Sequence, residues 1–277
     1  MSETITKERL EEIARQIRRL SVESIYRAQS GHPGGSLSAA DILSVLYFDI
    51  MDIDPKDPTR RDRDRLVLSK GHGAPAYYAA LALRGYFDVE DLNRLRQGED
   101  ALQGHPSMHK TTGVDYSSGS LGQGLSIANG MALYAQKNGL PSTVFCLCGD
   151  GELEEGQIWE AVMAGAHYNL SNVVLIVDDN GLQIDGRVAD VMNHAPLKEK
   201  FQAFGWNVLE VDGHDVEELR KVFRAVYGKA ERPTVVLAKT VKGKGVSFME
   251  DQASWHGSPP NEEQYRKAMA ELGGEGL

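Results

Sequence analysis

Short β-rich runs that alternate with helical patterns constrain this chain more than any other feature. Leu66 to Leu68, Thr143 to Cys148, Asn172 to Val177, Trp206 to Val211 and Thr234 to Ala238 are such runs. Their alternation predicts an α/β fold built on a parallel sheet covered by helices. Between the second and third runs, Ile158, Trp159, Val162, Met163 and Ala166 recur on one helical face, giving a strand, helix, strand unit. A right-handed crossover then makes the two strands parallel, with their C-terminal ends on one edge.

Upstream, Leu10, Ile13, Ile17 and Leu20 recur at helical spacing among charged residues from Thr6 to about Gln29, an amphipathic first helix that ends near Gly31. A second apolar stretch runs from Ala39 to Phe48. Asp52 to Arg65 is polar and carries Pro55 and Pro58, as a surface connection of structural rather than catalytic role would. With 277 residues, 41% of them hydrophobic, the chain can bury a substantial core, and residues 1–277 read as one domain without internal repeats.

Charge limits the partners. A formal net charge of -10 argues against a nucleic-acid surface, which needs clustered Lys and Arg, so the ligand is expected to be small. Met1 is followed by Glu3, Lys7, Glu8 and Arg9 with no apolar run of signal-peptide length, and no stretch approaches a membrane span. The expected location is the cytoplasm. Cys146 and Cys148 stand two apart in an apolar run, so they share one strand face and are expected to be buried thiols rather than a disulfide or a metal site.

The candidate site lies at the strand ends. One run ends in Gly149-Asp150-Gly151 and the next in Asp178-Asp179-Asn180-Gly181-Leu182, and open α/β sheets collect ligands at such edges. The Asp150 carboxylate, the Asn180 amide oxygen and one backbone carbonyl can fill half the octahedron of Mg²⁺, with Ca²⁺ an alternative. A diphosphate and water can fill the rest. The glycines, Gly151 among them, let backbone approach a phosphate, and a helix after Gly151 is expected to offer its positive N-terminal end.

Four of the eight histidines lie beside glycine: His32 in Gly-His-Pro-Gly-Gly, His72 in Ser-Lys-Gly-His-Gly, His105 in Gly-His-Pro-Ser and His256 in Trp-His-Gly-Ser-Pro. Neutral imidazole gives and accepts protons near pH 7, and imidazolium pairs with phosphate, so converging histidines suit sugar hydroxyls and a diphosphate. His109, His167, His194 and His214 fit no such pattern and read as ordinary residues.

The paired Gly-Asp-Gly and Asp-Asp-Asn motifs resemble the metal signature of thiamine diphosphate enzymes. With the four histidine contexts and Ser118-Gly119-Ser120-Leu121-Gly122-Gln123-Gly124, nearly the whole chain resembles the transketolase family. The resemblance implies a thiamine diphosphate-binding fold, a parallel β-sheet with helices on both faces. It implies Asp150, Asn180 and the Leu182 carbonyl as metal ligands, and His72, Gly119, Ser120, Leu121, Gly151, Asn180 and His256 at the cofactor. His32, His105 and His256 would act on the substrate. Ser120 departs from the proline that many full-length members carry there, which loosens the local backbone.

The implied activity is transfer of a two-carbon ketol unit from a ketose phosphate to an aldose phosphate, as in the pentose phosphate pathway, with the cofactor as electron sink. The resemblance covers only the diphosphate-binding part of longer members. The pyrimidine and C-terminal domains are expected on a second chain, two copies of each forming a heterotetramer, unless the sequence is a piece of a longer one. Glu155 matches a position near that interface, where its plain reading is a favourable first-turn charge. Two rivals remain: the α subunit of a 2-oxo acid dehydrogenase, and a non-catalytic cofactor-binding or regulatory subunit.

Overall fold

A computed structural model describes residues 5–98 and 102–273. The early residues Met1 and Glu3 and the tail from Gly274 lie outside them. The first helix, α1 (Lys7–Ala28), starts at the Thr6 side chain, which accepts the Arg9 N–H at 3.2 Å, and stops where Gln29 turns left-handed at φ 46°. Two short helices, α2 (Pro33–Ser38) and α3 (Ala40–Val45), follow, the latter running into a π-turn at Leu46–Ile50. Then come β1 (Arg65–Leu68), α4 (Ala74–Arg84), α5 (Gly124–Lys137), β2 (Val144–Gly149), α6 (Gly156–His167) and β3 (Val173–Asp179). A hairpin of β4 (Leu182–Gln183) and β5 (Gly186–Arg187) leads through α7 (Val188–Val191) and α8 (Leu197–Ala203) to β6 (Asn207–Asp212). The chain continues through α9 (Val216–Val226), β7 (Thr234–Lys239) and α10 (Glu262–Glu271).

The expected strands all form, in one parallel sheet ordered β1-β2-β3-β7-β6. Period-two geometry sends alternate residues to opposite faces. Phe145, Leu147, Val174 and Ile176 pack with α1, α3, α4 and α9 on one face, whereas Val144, Cys146, Val173 and Leu175 pack with α5, α6 and α8 on the other. Both faces are covered, which is why the central runs are continuously apolar rather than alternating. Cys146 and Cys148 do share a face as free buried thiols, with their Sγ atoms 3.8 Å apart.

The expected apolar face of α6 is corrected at one position. Ile158, Ala161, Val162 and Gly165 are its buried residues, while Met163 is 56% exposed. Trp159 is only partly buried, against Phe201 and Phe204. The second correction is at Gly151. Residues Gly151–Glu154 form a short 3₁₀ helix capped by Asp150 and α6 starts only at Gly156, so the helix that begins at the Gly-Asp-Gly motif is a single 3₁₀ turn rather than α6.

A third apolar cluster (Val22, Leu37, Val246, Met249, Tyr265 and Met269) folds α10 and the segment after β7 back onto α1 and α2. Tyr26 stacks on Tyr265 with ring centroids 4.2 Å apart. This packing returns His256 to the neighbourhood of His32. Among the described residues no helix is long and apolar enough to cross a membrane.

Candidate active site

Parallel strands deliver the polar groups to a single edge. The end of β1 supplies Ser69, Lys70 and then His72; that of β2, Asp150; that of β3, Asp178 and Asn180; that of β7, Thr240 and Lys242. At the centre is Asp178, fully buried. It pairs with Lys70, accepts the Ser38 hydroxyl at 2.6 Å and the Thr240 hydroxyl, and meets the Asn180 amide at 3.3 Å. Burial alone would raise its pKa, but the Lys70 charge and these hydrogen bonds hold it below the usual carboxylate value.

Three of the four glycine-flanked histidines converge. Ring centroids lie 5.3 Å apart for His32 and His72, 5.5 Å for His32 and His256, and 4.9 Å for His72 and His256. The buried Nδ1 atoms of His32 and His256 have no hydrogen-bond partner. Burial, then the charges of Arg96, His105 and Lys242, push His32 down to about 4. Burial, then Lys242, pushes His256 down to about 3. His72 falls well below its ordinary value through burial and then Lys70. The trio is therefore neutral at pH 7, and the imidazolium pairing considered from sequence is not its resting state. His105 stands apart, exposed, beside Gly119 and Gly71.

A cavity of about 130 Å³ lies between these groups, lined by His72, Leu121, Asp150, Gly151, Asn180, Leu182, Lys242 and His256, together with Lys70 and Glu152. His32, His105, Gly119 and Ser120 are outside its lining. Side-chain space is short around it. A Cβ on Gly35 would stand 3.2 Å from His72 Nε2, and one on Gly34 would meet the Lys242 side chain and the Trp255 carbonyl at 2.9 Å. A wider cleft of about 1080 Å³ past the ends of β6 and β7 includes His194 and His214 but none of the residues expected at the site.

The donor set suits a hard cation. Among the described residues no group of three His, Cys, Asp or Glu side chains could hold a metal, so a cation here needs neutral oxygens beside Asp150. The Asn180 amide oxygen, which accepts the Leu182 N–H at 3.1 Å, and the Leu182 carbonyl supply them. Burial, then the Asp178 charge, pushes Asp150 up to about 7, the behaviour of a carboxylate short of positive charge. Lys242 is a site residue that sequence reading missed. Its ammonium donates to the Leu182 carbonyl at 3.0 Å, and burial, then Lys70, lowers it to about 8. A signal was present in the glycine-flanked Lys-Gly-Lys-Gly that follows β7.

Residues 10–276 match the family described as transketolase, thiamine diphosphate binding domain. The chain belongs to the transketolase family. It is 45% identical over 267 residues to the 6-deoxy-6-sulfo-D-fructose transketolase subunit SqwG of a Clostridium strain, covering 96% of this chain and 97% of that one. It is 41% identical to an apulose-4-phosphate transketolase subunit of Phocaeicola vulgatus, covering 96% and 94%. The solved transketolase of Campylobacter jejuni superposes with a TM-score of 0.91 at 37% identity, over 98% of this chain but 44% of that one. This transketolase-family chain thus spans nearly the whole length of the subunit relatives and under half of the solved Campylobacter jejuni chain. Its fold is that of known transketolases, and it is a chain of a transketolase-type enzyme.

Proposed function

We propose that residues 1–277 form one diphosphate-binding domain, a subunit of a two-chain transketolase that moves a two-carbon ketol unit from a ketose phosphate to an aldose phosphate. The observation that carries this reading is the cavity that His72 and His256 share with Asp150 and Asn180 at neighbouring strand ends, with His32 against both rings and buried nitrogens of His32 and His256 unpartnered. Bound thiamine diphosphate supplies an electron sink for the two-carbon fragment. Asp150, Asn180 and the Leu182 carbonyl would hold Mg²⁺, with Ca²⁺ the alternative. Gly151, Asn180, His72 and Lys242 would grip the diphosphate, and Gly119, Ser120 and Leu121 would line the rest of the cofactor. His32, His105 and His256 would move protons on the sugar oxygens, a role suited to neutral rings that donate at one nitrogen and accept at the other.

Two facts support a partner chain. Relatives of similar length are named as subunits, and the outer faces of α5 and α6 carry Ile127, Tyr134 and Met163 exposed, with exposed Tyr168 at the α6 C-cap. Exposed Leu121 and Ile184, both in the cavity lining, extend apolar surface to its mouth. Apolar surface of this kind fits a lasting interface that also completes the site, and two copies of each chain would give two such sites. Glu155, exposed at the N-cap of α6, would face that interface.

The test mixes the purified chain with its partner, thiamine diphosphate and Mg²⁺, and follows ketol transfer between sugar phosphates, with pyruvate decarboxylation as control. Transfer only in the mixture is expected. A well-formed, cofactor-loaded complex without transfer would overturn the reading, and pyruvate turnover would redirect it to an oxo-acid enzyme. Offering 6-deoxy-6-sulfofructose and apulose 4-phosphate beside ordinary ketose phosphates would sort the substrate classes that the relatives' names specify.

A further inference from the structure

Of the three glutamates that follow Gly151, Glu155 is exposed and Glu154 partly so, whereas Glu152 is 3% exposed and borders the cavity. A buried carboxylate beside an anion site is unfavourable unless it has another task. Its hydrogen bonds show one. Oε1 accepts the Ser69 hydroxyl and, at 2.8 Å, the Gly122 N–H; Oε2 accepts the Gly149 N–H at 3.1 Å. Ser69 Oγ in turn accepts the Gly124 N–H at 3.1 Å. One side chain thus ties the ends of β1 and β2 to the loop that enters α5. Two carboxyl oxygens with several lone pairs suit three converging donors.

The loop it holds packs too closely for side chains at Gly122 and Gly124. Gly122 is left-handed at φ 82°, and a Cβ there would lie 2.7 Å from the Glu155 Cβ. A Cβ on Gly124 would fall 2.3 Å from Ser69 Oγ. Leu121, immediately before the pinned Gly122 N–H, forms one wall of the cavity. We propose that Glu152 is a positioning residue: it fixes the backbone of residues 119–124 so that Leu121 and its neighbours present the correct wall to the cofactor. This rests on the reading that Gly119 to Leu121 line the cofactor.

The experiment uses the reconstituted two-chain complex with Mg²⁺. Glu152→Gln keeps the size but turns an amide NH₂ toward a backbone donor, leaving one buried N–H without an acceptor. The dissociation constant for thiamine diphosphate should rise by about tenfold to a hundredfold. At saturating cofactor, kcat should fall by less than about threefold, the signature of lost positioning rather than lost chemistry. Amide exchange at Gly122 and Gly124 should quicken. Ser69→Ala, which removes the hydroxyl link to Glu152 and leaves the Gly124 N–H without its acceptor, should shift cofactor affinity and exchange in the same direction, and it carries the test if Glu152→Gln does not fold. Unchanged affinity with unchanged exchange at Gly122 would overturn the proposal. So would a loss of kcat at saturation without a change in affinity. Were the wild-type complex to bind no thiamine diphosphate, the functional reading would fail, whereas exchange at Gly122 would still decide whether Glu152 pins the loop.

Discussion

Two polar clusters share one edge of the sheet and are built in opposite ways. Around Asp178, a buried charge meets an opposite charge, two hydroxyls and an amide. Around His32, His72 and His256, partly buried rings press against one another with ring nitrogens left unpartnered and protonation suppressed. A saturated cluster is scaffold, since every donor and acceptor already has its use. An unsaturated one costs stability by itself and makes sense when a ligand supplies the missing partners.

That contrast can be broken by mutation. The largest effect is expected at the unsaturated cluster: His256→Ala should cut turnover of the reconstituted enzyme by about two to four orders of magnitude while its melting temperature barely moves. Near-normal turnover in the folded variant would remove His256 from proton transfer. At the saturated cluster the order reverses. Lys70→Met, which strands the Asp178 charge, should cost about 3–5 kcal/mol of stability by denaturant unfolding. If that loss were under about 1 kcal/mol, the buried pair would not be scaffold.

Smaller effects sharpen the comparison. Mg²⁺ with thiamine diphosphate at a hundredfold excess over Kd should stabilise the wild-type complex by about 2.7 kcal/mol. Asp150→Ala should lose most of this in a thermal-shift measurement, and an equal shift in the variant would exclude Asp150 as a ligand. The histidine trio should also make stability fall in acid. The folded pKa values of His32 and His256, about 4 and about 3, lie below the ordinary value of 6.5. The unfolded chain therefore binds protons first, and stability present above pH 6.5 is lost progressively as pH falls toward about 4 for His32 and about 3 for His256. The size is modest, because both rings are partly exposed; imidazole C2–H resonances that move between pH 8 and 6 would contradict it. Least of all, Thr240→Val removes one of several donors to Asp178 and should cost about 1 kcal/mol. A larger loss would mean that the cluster does not share its load.

The legibility of the sequence followed the range of each interaction. The strands between Leu66 and Ala238 and the extent of α1 from Thr6 to about Gln29 were readable because periodicity acts within a few residues. Met163 misled because an apolar side chain on an amphipathic helix looks the same whether it faces the core or a partner. His32, His72 and His256 could be picked out as glycine-flanked, but nothing local says that they touch while His105 stays apart.

Local pattern was enough to specify the parallel α/β sheet and the edge on which Asp150 and Asn180 emerge, since apolar runs buried on both faces and a right-handed crossover leave little alternative. Which polar groups are saturated depends on three-dimensional packing. Lys70 and Asp178 are 108 residues apart, Ser38 and Asp178 are 140, and Ser69 and Glu152 are 83. Partners so distant are selected by how the strand ends and the returning C-terminal segment pack, and that depends on the whole core at once rather than on any one segment.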